Sequence, residues 1–392
     1  MNNLISLYFL IFSIGGSLIM INFNEIFAQS TDFQMPSLSF DNPYSDMPSN
    51  MQGSLSELDE INDDVNSQVN EIIKPTFQNP LEKHVTNNDY DISPVVNSSS
   101  LGTAGGDGRV GDGEVYVVDY ENIRVQKFDN QGDFILKWGT KGKAEGQFGV
   151  PHGIDVNKKG DVYVVDMDNN NVQKFDSEGN FLLKWGSMGT GDGQFMHPHT
   201  IVLDSKGNSF VSDMANFNVQ KFDSEGNFLL KWGSMGTGDG QFNAPEGLAI
   251  DSLDNMYVSD TDNNNVQKFD SEGNFLLKWG TTGTNEGQLK KPAGLDIDNN
   301  DNIYVADSGN SRIQKFDSNG EFLSKWGSKG PGNGQLASPH DLAVDSEGNV
   351  YVVEQQNFRV QKFDSNGEFL SKWGSKGSNN DQFLDPHSIV VS

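Results

Sequence analysis

The sequence is dominated by a 47-residue repeat that recurs without insertion or deletion. Its most regular part is VQKFDSEGNFLLKWG at residues 172–186, and each copy of this segment holds one of the six tryptophans of the chain. A constant period of this length is typical of propellers, solenoids and other repeat arrays, so it has to be interpreted before any local motif. The other copies, identical or closely similar, begin at Val125, Val219, Val266, Ile313 and Val360.

One repeat contains four strand-like segments separated by turn residues, as residues 148–195 illustrate. The first two strands are predicted at 151–156 and 161–166, where β-branched and aromatic residues are concentrated. The last two are predicted at 172–176 and 180–185, joined by a tight Ser-Glu-Gly hairpin. Four strands and no helix within one repeat correspond to one blade of a β-propeller.

A single blade of this kind cannot bury both of its apolar faces. Alternation along residues 172–176 presents two different faces, and we expect neighbouring blades to cover one each. The lysines of the Q-K-F and K-W-G segments are expected to be solvated and paired with acids.

The two ends of the array predict a closed ring. The first unit opens at residues 114–119 without an innermost strand, whereas residues 386–392 are an innermost strand without the rest of a blade. Together they complete one blade, which gives five intact blades and one shared blade. Closure removes the exposed strand edges that an open array would leave. The sequence therefore predicts an all-β fold, a six-bladed propeller over residues 107–392.

Composition excludes several kinds of site. The chain has no cysteine, so it has no disulfides, thiolate metal ligands or cysteine nucleophiles. Its formal net charge is −28, and both the first hundred residues and the remainder are acidic. A field of this sign repels phosphate backbones and argues against nucleic-acid partners, while it favours solubility, cations and basic partners.

The residues before the repeats have a different character. Residues 4–21 are apolar and precede Ala-Gln-Ser at 28–30, so residues 1–30 are interpreted as a signal peptide. The alternative is a retained membrane tether, because the run is long enough to span a bilayer. Both interpretations predict a secreted or cell-surface protein. Residues 31–106 are predicted to be an acidic disordered linker, with a short helix at 54–73 that either docks or forms transiently.

The repeat resembles the NHL repeat. The resemblance rests on P-x-G-[ILV]-x-[VI]-D, N-[VI]-Y-V-[AS]-D, N-x-[VI]-Q-K-F, F-L-x-K-W-G and a G-Q-F loop, all in register over residues 107–392. It implies a six-bladed β-propeller. The family includes binding domains of tripartite-motif proteins, sensor domains of bacterial kinases and peptidyl-glycine α-amidating lyases. A ubiquitin-ligase-type or RNA-binding role is disfavoured here, because the chain lacks cysteine and is acidic.

The residue after the proline of each innermost strand is expected to face the channel mouth. On alternate blades, His152, Glu246 and His340 form a candidate metal site, because two imidazoles and a carboxylate around an open position suit zinc. The alternative is that these histidines are inherited copies that only hydrogen-bond loop backbone. The residues at this position are, in chain order, His152, His199, Glu246, Ala293, His340 and His387.

The amidating lyases place zinc-binding histidines at this same position on alternate blades, so the resemblance implies a metal centre. This chain departs from them because Glu246 interrupts one alternate set, and Ala293 interrupts the other set, which contains His199 and His387. The lyases also have an arginine just after the second-strand acid, and this chain has none there. The residues at that position are Tyr120, Met167, Met214, Thr261, Ser308 and Gln355.

The acids that end the second strands are predicted to contribute to the binding face. Asp166, Asp213, Asp260 and Asp307 belong to this set, and asparagine-rich turns follow several of them. Carboxylate and amide oxygens of this kind are ligands for calcium. The alternative is that they accept hydrogen bonds from their own turn backbone.

These observations favour an exported, monomeric binding or scaffold module over an enzyme. Its ligand is expected to be a protein, a peptide or a small molecule that binds at the channel mouth. The alternative is a lyase or hydrolase that depends on zinc or calcium and is centred on His152, Glu246 and His340.

Overall fold

The computed structural model describes residues 11–14, 17–20 and 113–392, and the chain divides into two units, Met1–Ser100 and Leu101–Ser392. In the first unit, β1 (Ile11–Ile14) and β2 (Ser17–Met20) pair as an antiparallel hairpin. The rest of the predicted leader, linker and short helix lies outside the described residues. Within the described ranges, no helix has the length and apolar character needed to cross a membrane.

The second unit consists of six four-stranded antiparallel sheets, which we number as blades 1 to 6. The structure confirms the predicted all-β propeller, and the four strands of each repeat run from the channel to the rim. Blade 1 contains β26 (Pro386–Val391), β3 (Val115–Asp119), β4 (Arg124–Phe128) and β5 (Phe134–Trp138); blade 2 contains β6 (Pro151–Val156), β7 (Val162–Asp166), β8 (Asn171–Phe175) and β9 (Phe181–Trp185); blade 3 contains β10 (Pro198–Leu203), β11 (Ser209–Asp213), β12 (Asn218–Phe222) and β13 (Phe228–Trp232). Blade 4 contains β14 (Pro245–Ile250), β15 (Met256–Asp260), β16 (Asn265–Phe269) and β17 (Phe275–Trp279); blade 5 contains β18 (Pro292–Ile297), β19 (Ile303–Asp307), a 3-10 turn (Ser308–Asn310), β20 (Arg312–Phe316) and β21 (Phe322–Trp326); blade 6 contains β22 (Pro339–Val344), β23 (Val350–Glu354), β24 (Arg359–Phe363) and β25 (Phe369–Trp373).

The ring closes in the way that the ends of the array predict. Strand β26 pairs with β3 in antiparallel register, with Pro386 opposite Asp119 and Val391 opposite Val115. A backbone hydrogen bond of 3.2 Å from Gly113 to the Ser392 carbonyl extends this pairing. Each innermost strand also contacts the innermost strands of both neighbouring blades, so the six strands surround one channel.

The hydrophobic core lies between the blades. Between blades 1 and 2, for example, Tyr116 and Val118 pack against Val162, Val164 and Phe175, and all five are buried. Fully burying one such side chain contributes roughly 1.5–3 kcal/mol. The blades therefore depend on one another for their cores, as the two apolar faces of each strand predict.

Each tryptophan covers a hairpin glycine of the next blade. Gly179 has a φ of 81°, which favours glycine, and a Cβ added to it would lie 2.8 Å from the Trp138 ring. The tight Ser-Glu-Gly hairpin is therefore needed both for its turn and for the close approach of the indole. The equivalent pairs are Gly132–Trp373, Gly226–Trp185, Gly273–Trp232, Gly320–Trp279 and Gly367–Trp326.

The lysines of the Q-K-F segments differ from expectation. Lys221 is buried, with its Nζ 3.4 Å from Asp204 and 4.6 Å from the centre of the Phe210 ring. The acid pairing is as predicted, but the solvated position is wrong, because the apolar stem packs beside an aromatic ring in the blade. Five of the six K-W-G lysines are exposed at the rim, as expected, and Lys278 is half-buried.

Candidate functional site

A β-bulge at the start of each innermost strand directs one side chain toward the channel mouth. In blade 2, Pro151 lies opposite Asp166 and Ile154 lies opposite Val164, so the innermost strand has one extra residue between these pairs. A bulge of this kind re-aims a side chain, in this case that of His152. The same register shift occurs in the innermost strands of the other five blades.

Three histidines from consecutive blades converge at the mouth. One ring nitrogen from each of His152, His199 and His387 lies within 4.8 Å of the others, and all three side chains are buried. The Nε2 atoms of His387 and His152 are 2.5 Å apart. Together with Glu246 and His340, these histidines line a cavity of about 10 Å³, close to the smallest volume that holds one water molecule.

Burial keeps the three imidazoles neutral. Desolvation, together with neighbouring histidines, lowers the pKa of His152, His199 and His387 well below the usual value. The Nδ1 of His152 lies 3.1 Å from the carbonyl oxygen of His199, which fits donation by Nδ1–H and leaves Nε2, which lies beside Nε2 of His387, as an acceptor. Neutral imidazoles that converge in this way are suitable ligands for a transition metal.

Glu246 and His340 form a contact pair at the same cavity, and the His340 ring also stacks on the His387 ring with centres 3.8 Å apart. The Nε2 of His340 lies 3.2 Å from Oε1 of Glu246, and its Nδ1 lies 3.0 Å from the His387 carbonyl oxygen. Burial raises the pKa of Glu246 to about 7 and lowers that of His340. Thr261 Oγ1 lies 2.7 Å from Oε2 of Glu246.

The structure thus places five of the six predicted mouth residues, all but Ala293, at one cavity but groups them differently. His152 lies with His199 and His387, whereas its ring centre is 6.3 Å from that of His340. Metal binding by His152, Glu246 and His340 remains a prediction, and His152, His199 and His387 are the set whose ring nitrogens converge.

Three of the residues after the second-strand acids, Tyr120, Thr261 and Gln355, contact residues of the mouth. The side-chain nitrogen of Gln355 lies 2.9 Å from Nδ1 of His387, and Ser338 donates a hydrogen bond of 3.1 Å to the Gln355 oxygen. The Tyr120 ring makes edge contacts with His152 and His387. In the sequence, this position was noted only because the amidating lyases have an arginine there and this chain does not. Its variation from blade to blade was the signal that these residues face the site.

The second-strand acids predicted for the binding face are fully buried. Asp166 accepts hydrogen bonds from the backbone of Gly149 and Val150 and from the side chain of Asn169. Its oxygens therefore attach the preceding loop to the blade, in agreement with the backbone alternative. The structure gives the same burial and loop contacts to Asp213, Asp260 and Asp307.

Arginine strengthens this attachment in three blades. In blade 5, Nε of Arg312 lies 2.7 Å from Asp307, and the other guanidinium nitrogens donate to the carbonyls of Thr284, Asn285 and Gln288. The guanidinium thus joins the preceding loop to the buried acid. The same arrangement occurs in blades 1 and 6 at Arg124 and Arg359.

Blades 2, 3 and 4 have asparagine at the arginine position. The side-chain nitrogen of Asn171 donates only to the Asn169 carbonyl of its own turn, and its Oδ1 is buried without a hydrogen-bond partner among the described residues. No side chain at this position reaches the preceding loop. Asn218 and Asn265 repeat this arrangement.

Three further carboxylates, Asp155, Asp296 and Asp341, lie on the innermost strands, and sequence reasoning missed them. Asp341 accepts hydrogen bonds from the Ser388 hydroxyl and the Ile389 backbone of the next blade. Asp155 accepts a 2.7 Å hydrogen bond from the Leu203 backbone of the next blade, and Asp296 accepts one of 2.7 Å from Val344. Burial raises the pKa of the Asp155 and Asp296 carboxyls to about 7. An acid within the alternating apolar run was the available signal, since the other four blades have Val or Ala at the position of Asp155 and Asp296.

Comparison with known proteins identifies the repeat. The profile of the NHL repeat matches residues 148–175, 242–269, 289–316 and 336–363. The chain is built from NHL repeats. A search of curated proteins found no matching relative.

Solved structures share the fold of this NHL-repeat propeller at low identity. A protein of unknown function from Bacteroides caccae is 14% identical, with a TM-score of 0.51 over 72% of this chain and 99% of that chain. A nidogen/laminin complex is also 14% identical, with a TM-score of 0.51 over 71% and 98%. A catalytically inactive variant of virginiamycin B lyase from Staphylococcus aureus, with quinupristin, has a TM-score of 0.48 at 14% identity over 66% and 79%. That last similarity is too weak to support a functional argument.

Proposed function

We propose that the NHL-repeat propeller is a ligand-binding module whose channel mouth binds a divalent transition-metal ion. The observation that carries this proposal is the convergence of His152, His199 and His387, whose ring nitrogens lie within 4.8 Å of one another. A protein, peptide or small-molecule ligand binds on the same face. We propose that the protein acts as a monomer.

The chemistry of the donors supports a transition metal over calcium. Calcium prefers oxygen ligands, whereas neutral imidazole nitrogens suit zinc and its neighbours. The fold alone does not require histidine at the mouth, because the equivalent residue of blade 5 is Ala293. The backbone contact at Nδ1 of His152 is also typical of metal ligands, whose second nitrogen is oriented by a hydrogen bond.

Metal analysis of purified variants tests this proposal. After incubation with zinc and desalting, wild type is expected to retain about one equivalent of zinc, and His152→Ala and His387→Ala to lose it. His197→Ala is the matched control, because His197 lies beside the cluster but is not one of its members. The proposal fails if wild type retains no near-stoichiometric metal at neutral pH.

The His340→Ala variant distinguishes the two candidate ligand sets. If His152, His199 and His387 bind the ion, this variant retains zinc. If the ligands are His152, Glu246 and His340, the same substitution removes it.

A second candidate is a metal-dependent lyase or hydrolase, and the Glu246–His340 pair favours it. An acid and an imidazole in contact beside a metal cavity can move a proton during bond cleavage. The probe is an α-hydroxyglycine peptide, incubated with the zinc-loaded protein. Turnover that is lost in Glu246→Gln, with zinc retained, would support the enzyme. Absence of turnover by the zinc-loaded wild type would contradict the enzyme and leave the ligand-binding module as the proposed function.

We also propose that the protein is exported through residues 1–30. The apolar run and the Ala-Gln-Ser pattern at 28–30 support this proposal. Cell fractionation with N-terminal sequencing tests it. A mature chain beginning near residue 31 supports a cleaved leader, an intact membrane-bound chain supports the tether, and an intact chain in the cytosol contradicts export.

A further inference from the structure

The arginine at the start of the third strand occupies a site for positive charge in blades 1, 5 and 6. In blade 5, the guanidinium of Arg312 contacts the Asp307 carboxylate and three carbonyls of the preceding loop. Every one of these partners is an oxygen atom that accepts hydrogen bonds, so the surroundings of the guanidinium are suited to a cation. Arg124 and Arg359 have the same kinds of partners in blades 1 and 6.

The preceding loop is attached in the same way in blade 2, which has asparagine in place of the arginine. In blade 2, the side-chain nitrogen of Gln173 donates a hydrogen bond of 2.7 Å to the Gln147 carbonyl. In blade 5, Gln314 donates one of 2.6 Å to the Gln288 carbonyl. An asparagine of the turn makes a second attachment, which is 2.8 Å long in both blades. The presence of Asn171 instead of arginine therefore leaves the loop carbonyls in place and removes the cation that contacts them.

Several oxygen atoms at this position of blade 2 lack a donor. Asn171 is only 7% exposed, and its Oδ1 is buried without a hydrogen-bond partner among residues 113–392. Because its Nδ2 donates to the Asn169 carbonyl, Oδ1 is directed away from its own turn. The Lys143 carbonyl, equivalent to that of Thr284, accepts no hydrogen bond within the described part of the propeller. The Asp166 carboxylate is fully buried, and this burial raises its pKa. Blade 2 thus combines a buried acid with acceptors that have no donor.

The other two blades with asparagine have a lysine at the loop carbonyl. In blade 3, Nζ of Lys231 lies 3.4 Å from the Thr190 carbonyl, and in blade 4 Nζ of Lys278 lies 3.3 Å from that of Thr237. The equivalent lysine of blade 2, Lys184, is exposed and forms no hydrogen bond or ion pair among residues 113–392. Five of the six blades therefore have a cationic side chain in contact with a carbonyl of the preceding loop, and blade 2 is the exception within the described residues.

We propose that blade 2 binds a calcium ion at this position, with the Asp166 carboxylate, Oδ1 of Asn171 and the Lys143 carbonyl as ligands. Calcium binds carboxylate, amide and backbone oxygens, and water molecules complete its set of about six to eight ligands. A water molecule alone would supply no positive charge to the buried acid. Because the site has one carboxylate, we expect weak binding, with a Kd on the order of 10⁻⁴ to 10⁻³ M. The site uses none of the mouth histidines, so it does not depend on the metal proposed there.

Equilibrium dialysis of the full-length protein against radioactive calcium, after removal of metals with a chelator, tests this site. The Asn171→Arg variant fills the site with the side chain that blades 1, 5 and 6 already use. Asn218→Arg is the matched control, because it makes the same substitution in blade 3, where Lys231 lies at the loop carbonyl. Asn171→Asp adds a second carboxylate to the site, and Asn218→Asp is its control. Circular dichroism establishes that the four variants are folded.

We expect wild type and Asn218→Arg to bind about one equivalent of calcium more than Asn171→Arg does at physiological ionic strength. Asn171→Asp should bind this calcium about tenfold more tightly than wild type, because affinity rises with the number of charged ligands, and Asn218→Asp should change little. Misfolding cannot produce such a gain. Absence of calcium binding by wild type, or equal loss in both arginine variants, overturns the site. Complete displacement of the calcium by an equal concentration of magnesium would overturn calcium as its occupant.

Discussion

Strands β20 and β8 begin at the same repeat position, but β20 begins with Arg312 and β8 with Asn171. The guanidinium reaches three carbonyls of the preceding loop, whereas the amide reaches only its own turn. The arginine blades are 5, 6 and 1, and they are contiguous around the ring. The junction of the chain ends lies in blade 1, where no peptide bond joins β26 to β3. The additional attachment is thus concentrated where the ring is closed without a covalent link.

The largest effect should come from breaking that closure. Deletion of residues 386–392 removes β26, its ladder with β3 and the buried Ile389, so we expect a loss of several kcal/mol of stability. Thermal unfolding followed by far-UV circular dichroism measures the change. A synthetic peptide of residues 386–392 should restore part of it. An unchanged midpoint would show that the ring does not depend on this junction.

The arginine that attaches the preceding loop can be replaced by the asparagine found at the same position in the other kind of blade. Arg312→Asn gives blade 5 the residue of blade 2, and we expect a cost of about 2–3 kcal/mol, because Asp307 stays buried without its cation. Asn171→Ala should cost less than about 1 kcal/mol, since it removes one local hydrogen bond. Urea unfolding of both variants gives the comparison. Equal costs would mean that the arginine adds nothing to the asparagine arrangement.

The buried carboxyls of Asp155, in blade 2, and Asp296, in blade 5, should show the same pH dependence, although blade 2 has asparagine and blade 5 arginine at the start of the third strand. Burial gives each a folded pKa of about 7, above the ordinary value of about 3.9; Asp296 and Asp341 add to the shift of Asp155, and Asp341 and Asp298 add to that of Asp296. Between these values the folded state retains the proton and the unfolded state releases it. Stability therefore falls as pH rises through this window and levels off above pH 7.

Asp155→Asn and Asp296→Asn test this pH dependence, because neither variant can ionise at the substituted position. We expect each variant to lose less stability than wild type between about pH 5 and pH 8, by a similar amount. Urea unfolding at several pH values gives the slope. A difference between the two variants would show that the blade type, rather than the channel, controls the carboxyl.

The smallest expected effect is at the rim. Lys231→Ala breaks an exposed pair with Asp192 and should cost no more than about 0.5 kcal/mol. Lys372→Ala has no such pair to break and should be neutral. Thermal unfolding at low salt measures both. A clear loss for Lys372→Ala would indicate a contact that the structure does not contain.

The fold could be predicted from the sequence because one period fixes many positions at once. The strands at 151–156 and 181–185, and the closure by residues 386–392, all follow from alternation, turn residues and the two incomplete ends. The position of the histidines at the mouth follows from the same regularity. Because the six repeats have equivalent backbones, residues at the same repeat position direct their side chains toward the same part of the ring.

The grouping of the histidines could not be predicted in this way. Equivalent Cα positions leave the side-chain rotamers free, and these depend on neighbours that differ from blade to blade. His340 contacts Glu246 and stacks on His387, whereas His387 also contacts Gln355 and His152. The prediction that the Q-K-F lysines are solvated was wrong for a related reason. Alternation predicts which side of a strand a lysine faces, but the acid and the aromatic ring beside Lys221 determine that its stem packs inside.

The contact between each tryptophan and the glycine of the next blade has a spectroscopic consequence. Every interface between blades contains one indole, and the six Nε1 atoms are buried without a hydrogen-bond partner among the described residues. Water that enters an interface as it opens would hydrate the indole of that interface and shift its fluorescence emission to longer wavelength. A variant that retains only Trp373, with phenylalanine at the other five positions, would therefore report on the interface between blades 6 and 1, and one that retains only Trp185 on the interface between blades 2 and 3. The ring thus carries six local reporters of where it opens first.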